Sequence, residues 1–218
     1  MGFTTPNTAT GSTDPQVIQM TAILNEEGQE LSRRHTWQAL VQEATFTTVA
    51  TEIQTAIPTG MRYLINDTIW NRDLRRPVFG PLTAQRWQQL KASNIQGPWN
   101  QFRIIGGNIK FIPAPVAGQT CAYEYVSDNW CYDTGNTGKT AFTADDDTSY
   151  LDEQILQLGL RWRFKKEKGL EYGEDFSTYE RMVMDAIARD GARDLLTLDG
   201  MRWDIPPGVL VPSGNWNL

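Results

Sequence analysis

Apolar residues recur at helical spacing over the twenty residues that follow Asp14. Asp14 is a residue type that accepts hydrogen bonds from the free N–H groups at a helix start, and Pro15 suits the first helical position. The pattern therefore predicts a helix over residues 15–34. Its apolar face would consist of Val17, Met20, Ile23, Leu24 and Leu31.

The same spacing predicts three further helices. Thr83 precedes a short helix over residues 84–92, in which Trp87 and Leu90 are placed to face the core. A helix over residues 150–168 is indicated by Leu151, Ile155, Leu158 and Trp162. A last helix over residues 175–190 is indicated by Phe176, Tyr179, Met182, Val183 and Ile187.

Between the first and the later helices, residues 44–127 read as a β region. Two β-branched and aromatic runs flank Gly106-Gly107-Asn108, residues that tolerate the positive φ of a tight turn, so they predict a hairpin. Pro113 and Pro115 end its second strand, because proline cannot donate to a ladder. Alternating residues over 120–126 predict a third strand.

These elements predict an α+β fold. The first helix and the two C-terminal helices would form a helical bundle, with a small antiparallel β domain between them. Residues 1–14 read as a flexible arm, residues 15–193 as the main domain, and residues 194–218 as an extended tail. The segment over residues 127–147 is rich in Thr and Gly, which predicts a long loop without a packed core.

Charge and composition narrow the function classes. The chain has 218 residues, a net charge of -6 and a pI near 4.9, which disfavours tight nucleic-acid binding by a general basic face. It contains no apolar run of about eighteen residues and no signal-peptide pattern at Met1, so we expect no membrane association. Two cysteines, Cys121 and Cys131, do not make a disulfide framework and favour a reducing compartment.

Three segments have residues that occur in ligand-binding or catalytic sites, but each is also explained by a structural role. Gly138-Lys139-Thr140 is similar to the end of a phosphate-binding loop, but Asp133 stands where the first glycine is required. Asp145-Asp146-Asp147 offers carboxylates to a divalent cation, or acts as the acidic start of the following helix, which we favour. His35 is the only histidine and has no nucleophile in a catalytic context. We therefore predict no catalytic, cofactor or metal site.

Aromatic and apolar residues suggest contacts with other proteins. The chain has eight tryptophans, which would suit a carbohydrate-binding surface but more often pack in cores and interfaces. The tail is extended yet apolar, and such a segment is costly to leave in water. We expect it to dock on its own body or on another subunit, with Trp203, Leu210, Val211 and Trp216 as the contact residues.

The order of elements resembles the head-to-tail adaptor, or connector, proteins of tailed bacteriophages. The resemblance covers about residues 14–193. Its best-marked part is the hairpin segment Gly107-Asn108-Ile109 followed by Phe111-Ile112-Pro113-Ala114-Pro115. The N-terminal helix, the segment from Pro81 to Trp87, the step Asp145-Asp146-Asp147-Thr148 and the two terminal helices complete it.

The resemblance implies a structural virion protein without catalytic activity or cofactor. Members of that family form a ring, usually of twelve copies, beneath the portal protein. The ring extends the channel for packaged DNA, which passes without sequence-specific binding, and presents a platform for a tail, nozzle or stopper protein. The expected location is the neck of the virion, and the host cytoplasm during assembly. The long loop over residues 127–147 and the apolar tail depart from shorter members, so the tail-side partner stays open.

Two other function classes remain as alternatives. A tail terminator or tail completion protein would also belong to a phage neck, although such proteins more often have a contiguous α/β sandwich without a terminal helix pair. An enzyme is disfavoured, because the chain has a single histidine and no convergent set of catalytic residues.

Overall fold

The computed structural model describes residues 8–93 and 97–191. This part of the chain is a mixed α+β structure with four α-helices and small antiparallel sheets, as the sequence predicts at that level. The helices are α1 (Pro15–Arg34), α2 (Ala84–Ala92), α3 (Glu153–Glu167) and α4 (Gly173–Arg189). None of them is long and apolar enough to cross a membrane.

Eleven strands lie among the described residues. In chain order they are β1 (Val41–Thr47), β2 (Ile53–Ala56), β3 (Met61–Leu64), β4 (Trp70–Asn71), β5 (Arg76–Pro77), β6 (Gln101–Ile105), β7 (Asn108–Ile112), β8 (Thr120–Ser127), β9 (Cys131–Tyr132), β10 (Gly138–Lys139) and β11 (Thr148–Ser149). The first sheet has the order β1-β8-β4-β5, with β3 also paired to β8, and the second has the order β2-β7-β6.

The predicted hairpin is present as β6 and β7. Gly106 and Gly107 both have positive φ, 59° and 72°, the conformation for which glycine was expected at this turn. Phe102 pairs with Phe111 across the two strands, and both side chains are buried in the core of the β region. The β region begins three residues earlier than predicted, at Val41, because the 3-10 turn Gln38–Leu40 leads directly into β1.

The segment over residues 127–147 is packed, and the prediction of a loop without a core was wrong. Strands β9, β10 and β11 form a third small sheet in and beside it. Trp130 is fully buried, and its indole lies so close to α1 that a Cβ on Gly28 would stand 2.4 Å from the ring. The Trp130 Nε1 donates to the carbonyl of Thr140 at 2.7 Å, which ties the segment together.

Helix α3 starts at Glu153, and its N-cap is Asp152, whose side chain accepts from the N–H of Gln154 at 2.8 Å. The expectation that Asp145-Asp146-Asp147 forms the start of this helix was therefore wrong. Thr148 and Ser149 lie between the triplet and the helix and pair with β9 as strand β11, which prevents a helical backbone there. The predicted range 150–168 was correspondingly early at its start. Helix α4 begins at Gly173, two residues before the predicted 175.

Helices α1, α3 and α4 contact one another through a buried charged group. Glu27 of α1 is fully buried and accepts hydrogen bonds from Arg163 Nε of α3 and the Tyr179 hydroxyl of α4, both at 2.5 Å. Gly159 makes room for it, since a Cβ there would lie 2.3 Å from the Glu27 carboxyl carbon. Burial and the neighbouring Glu27 raise the pKa of Tyr179.

The tryptophans divide between core and surface. Trp37, Trp87, Trp130 and Trp162 are buried, whereas Trp70 and Trp99 are more than a third exposed. This division agrees with packing and interface roles for this residue type. The predicted contact residues Trp203, Leu210, Val211 and Trp216, and residues 1–7 of the predicted arm, lie outside the described residues.

Candidate functional site

His35 lies beside a carboxylate but not beside a nucleophile. Its Nε2 is 3.3 Å from Asp190 Oδ2, and its ring meets Trp37 edge-on at 5.2 Å. Asp190 also accepts from the N–H of Gln38 at 2.9 Å, so the carboxylate joins the end of α4 to the segment after α1. Within residues 8–93 and 97–191, no serine, threonine or cysteine is hydrogen-bonded to His35. The pair therefore acts as a structural link.

Lys139, the basic residue of the loop resembling a phosphate site, is engaged within the chain. Its Nζ lies 2.7 Å from Asp147 Oδ1 and 3.0 Å from the Thr143 hydroxyl. A phosphate-binding lysine has to reach the ligand, whereas this one is committed to a carboxylate. The geometry favours a structural turn.

The acidic triplet holds neighbouring backbone groups. Asp147 has no exposed side-chain surface and accepts from the N–H groups of Thr143 at 2.7 Å and Ala144 at 2.9 Å. The hydrogen bond from Lys139 is the largest cause that lowers the pKa of Asp147 to about 2, and the two backbone N–H groups add to it. Asp145 accepts from the N–H of Thr10 at 2.6 Å, which lowers the pKa of Asp145 and fastens the described part of the N-terminal arm. In the described residues, no three His, Cys, Asp or Glu side chains are arranged to hold a metal ion.

The two cysteines are free thiols that belong to different cores. Cys121 lies in the core of the β region and Cys131 in the core below the helices, both without exposed surface. Burial raises the pKa of each to about 11. A buried, protonated thiol is a poor nucleophile, so neither residue is suited to covalent chemistry.

An exposed cluster lies where the first and second sheets meet. We call it the aromatic edge and define it as Arg76, Phe79 and Trp99. The rings of Phe79 and Trp99 meet edge-on at 5.9 Å, and the Arg76 guanidinium lies 5.4 Å from the Trp99 ring centroid. Phe79 is 47% exposed and Trp99 43%, so large apolar surface remains open to solvent.

Backbone pairing holds the aromatic edge in place. Arg76 lies on β5, the edge strand of the first sheet. Phe79 donates its N–H to the carbonyl of Asn100 at 3.0 Å and accepts from Phe102 at 2.8 Å, which connects it to β6. Rigid aromatic side chains beside an arginine are the composition of protein-interface hot spots. Trp70 on β4 and Leu74, in the turn between β4 and β5, are also exposed.

A second exposed apolar surface lies at the connection between α3 and α4. We call it the helical tip and define it as Leu170, Tyr172 and Phe176, each more than a third exposed. Phe176 meets the ring of Trp162 edge-on at 5.1 Å, and Tyr172 lies 6.3 Å from the same ring. The helical tip is thus rigidly supported by a buried tryptophan.

Charge is distributed unequally between the segments that carry these surfaces. Residues 74–123, which contain the aromatic edge, have six basic and no acidic side chains. Residues 128–191, which contain the helical tip, have fourteen acidic and eight basic side chains. Of the basic residues in the first segment, Lys91 and Lys110 pair with Glu52. The remaining four, Arg75, Arg76, Arg86 and Arg103, have no carboxylate partner among the described residues.

The sequence pattern alone does not predict the aromatic edge or the helical tip. The acid-free segment over residues 74–123 was the available signal for a distinct surface, whereas the exposure of Phe79 and Trp99 depends on tertiary packing. Neither a model of a known protein family nor a curated protein sequence matches this chain.

Proposed function

We propose that this protein is a structural adaptor of the head-to-tail junction of a tailed bacteriophage. The observation that carries the proposal is the order and position of its elements. The N-terminal helix at residues 15–34, the short helix at 84–92, the hairpin and the paired C-terminal helices are the features on which the resemblance to adaptor proteins rests.

In this proposal α1, α3 and α4 form a helical bundle, and the copies assemble into a ring, with twelve as the expected number. A closed ring of identical subunits needs two different faces on each subunit, because every contact is heterologous. The aromatic edge and the helical tip supply two exposed apolar surfaces of different composition. The opposite charge balance of their segments favours contact between unlike faces of neighbouring copies.

The ring would lie beneath the portal protein and extend its DNA channel. A net charge of -6 favours passage of DNA over adhesion to the protein as a whole. The N-terminal arm and the tail over residues 194–218 would reach neighbouring copies or the portal, with Trp203, Leu210, Val211 and Trp216 as anchors. The far side of the ring would receive a tail, nozzle or stopper protein, in the virion neck and, during assembly, in the host cytoplasm.

The proposal is tested by removing the aromatic edge. The double variant Phe79→Ser/Trp99→Ser is compared with Val116→Ser, which changes an apolar residue outside the aromatic edge that is 71% exposed. Assembly on a cognate portal protein is measured by mass photometry, after circular dichroism shows that both variants are folded. We expect the double variant to weaken assembly at least about tenfold, as loss of hot-spot residues does.

Equal assembly by the double variant, Val116→Ser and the unchanged protein would remove the aromatic edge from the proposal. Binding of the unchanged protein to tail tubes instead of the portal would favour a tail terminator or completion protein. A further truncation after Asp199 tests the tail anchors, because assembly should fall if Trp203, Leu210, Val211 and Trp216 hold another subunit.

A further inference from the structure

An apolar groove lies between the ends of α1 and α4 and the start of α3. Its floor contains Leu31 of α1, Trp37, Leu151 just before α3 and Ile155 in the first turn of α3, all of them buried. Ala186 of α4 completes one wall. The groove holds about 320 Å³ and is open to solvent. That volume accommodates a few side chains but not a helix.

The described chain ends at the rim of this groove. Arg189 and Asp190 line it, and Gly191 follows directly. Gly191 has φ +84°, a left-handed conformation that turns the chain out of the helical path. Asp190 is held by the N–H of Gln38 at 2.9 Å and by His35 at 3.3 Å, so the point from which residues 192–218 depart is fixed.

The first residues beyond Gly191 match the groove in polarity and reach. Leu195 and Leu196 are the first large apolar residues after α4. The four residues 192–195 span at most about 14 Å when extended, so Leu195 stays close to the rim from which the segment departs. Two charged residues precede these leucines. Arg193 is opposite in charge to Asp190 on the rim, and Asp194 is opposite in charge to Arg189.

We propose that Leu195 and Leu196 bind in the groove of their own chain. A link this short gives a millimolar or higher effective concentration, which favours the chain's own leucines over those of another copy. The docked leucines would cover the small part of Leu151 and Trp37 that the groove leaves open to solvent. Residues from Trp203 onward would then start from a fixed point and stay available for another subunit. The inference does not depend on the adaptor proposal, since it concerns a single copy.

Disulfide trapping tests the proposal in the full-length protein. Ala39, an exposed residue that lines the groove, is changed together with the leucine in the double variant Ala39→Cys/Leu196→Cys. The matched control is Val116→Cys/Leu196→Cys, with the first cysteine exposed on the β region. The native thiols Cys121 and Cys131 are buried and leave little background.

At micromolar concentration and under mild oxidation, we expect an intrachain disulfide in the Ala39 variant, at least tenfold more than in the Val116 control, identified by peptide mass mapping. A disulfide between two chains would overturn the proposal and assign the groove to a neighbouring copy. Equal, low yields in both variants would overturn it as well.

Hydrogen exchange supplies a second readout that needs no new cysteines. The variant Leu195→Ser/Leu196→Ser is compared with Trp203→Ser/Trp216→Ser, which removes two apolar groups from the same tail. We expect exchange at the start of α3, around Leu151 and Ile155, to rise about tenfold in the first variant only. Unchanged protection in the leucine variant would contradict the proposal, whatever the outcome of portal binding.

Discussion

The indole of Trp130 occupies the place that a side chain on Gly28 would fill. A Cβ built on Gly28 would lie 2.4 Å from two ring carbons of Trp130, far inside van der Waals contact. Gly28 is in the middle of α1, where glycine is otherwise unfavourable, so the close approach of the ring explains its presence. This contact packs the segment over residues 127–147 against α1, together with the hydrogen bond from the N–H of Phe142 to Asn25 at 2.8 Å.

Gly28→Ala is expected to lower the free energy of unfolding by about 1–3 kcal/mol. The added methyl group overpacks the contact with Trp130, and this cost exceeds the gain of about 1 kcal/mol in helix propensity. Urea unfolding measures the difference. Gly97→Ala is the control, since a Cβ there meets nothing within 4 Å and its stability should be unchanged. Equal stability of both variants would show that Trp130 can move without cost.

Arg163→Met is expected to destabilise the protein by about 3–5 kcal/mol. Arg163 is the cation that compensates the buried Glu27, and removing one partner leaves an unpaired charge in the interior. Arg161→Met is the matched control, because the Arg161 side chain is 62% exposed and lies 3.9 Å from Asp175. The control should change stability by no more than about 0.5 kcal/mol.

Adding Glu27→Gln to Arg163→Met should recover part of the loss, because the unpaired charge is then gone. Equal stability of the Arg163 and Arg161 variants would show that the pair of Arg163 and Glu27 contributes little to the free energy of unfolding. A further large loss of stability on adding Glu27→Gln would show the same of the unpaired charge. Thermal unfolding followed by circular dichroism suffices to rank the four proteins.

The pH dependence of the free energy of unfolding should reveal the ionisation of the Asp147 carboxyl group. The folded protein holds the pKa of Asp147 at about 2, below its ordinary value of 3.8. The ionised carboxylate therefore contributes stability that is complete above about pH 4 and is lost as the pH falls toward 2. The side chain of Asp147→Asn cannot titrate. The difference in free energy of unfolding between this variant and the unchanged protein should therefore narrow as the pH falls from about 4 toward 2.

Urea unfolding between pH 2.5 and 6 measures that gap. Asp146→Asn serves as the control, since Asp146 is exposed and has no hydrogen bond among the described residues. Its gap from the unchanged protein should be small at every pH. A gap for Asp147→Asn that stays constant down to pH 2.5 would contradict the depressed pKa.

Neither cysteine should react with Ellman's reagent at pH 8 while the protein is folded. Both thiols are fully buried, and burial raises the pKa of each to about 11, so little thiolate is present. Two thiols per chain should react after unfolding in urea. Rapid reaction of one thiol in the folded protein would show that one of the two cores opens readily.

Local sequence signals were sufficient for several elements. Asp14-Pro15 marks the start of α1, Thr83 marks the start of α2, and Gly106-Gly107 marks the hairpin turn; the structure confirms all three. Each signal acts through hydrogen bonds or dihedral angles within a few residues, which is why a short window of sequence contains it.

Long-range contacts explain what the sequence did not reveal. The segment over residues 127–147 is low in apolar residues, yet Trp130 finds a partner at Gly28, about a hundred positions away. Asp147 was interpreted as part of a helix start, but it binds Lys139 and the backbone before it. The aromatic edge was missed for the same reason, because the exposure of both Phe79 and Trp99 depends on tertiary packing and not on a local sequence pattern.

We propose that identical copies of this chain assemble coaxially on a portal protein. Negative-stain microscopy of the purified protein mixed with a cognate portal tests this assembly. We predict a ring seated on the portal axis, with a central channel, even if the protein alone is monomeric. Portal particles that stay bare at saturating protein, with this protein found at tail tubes or remaining unassembled, would contradict the adaptor proposal.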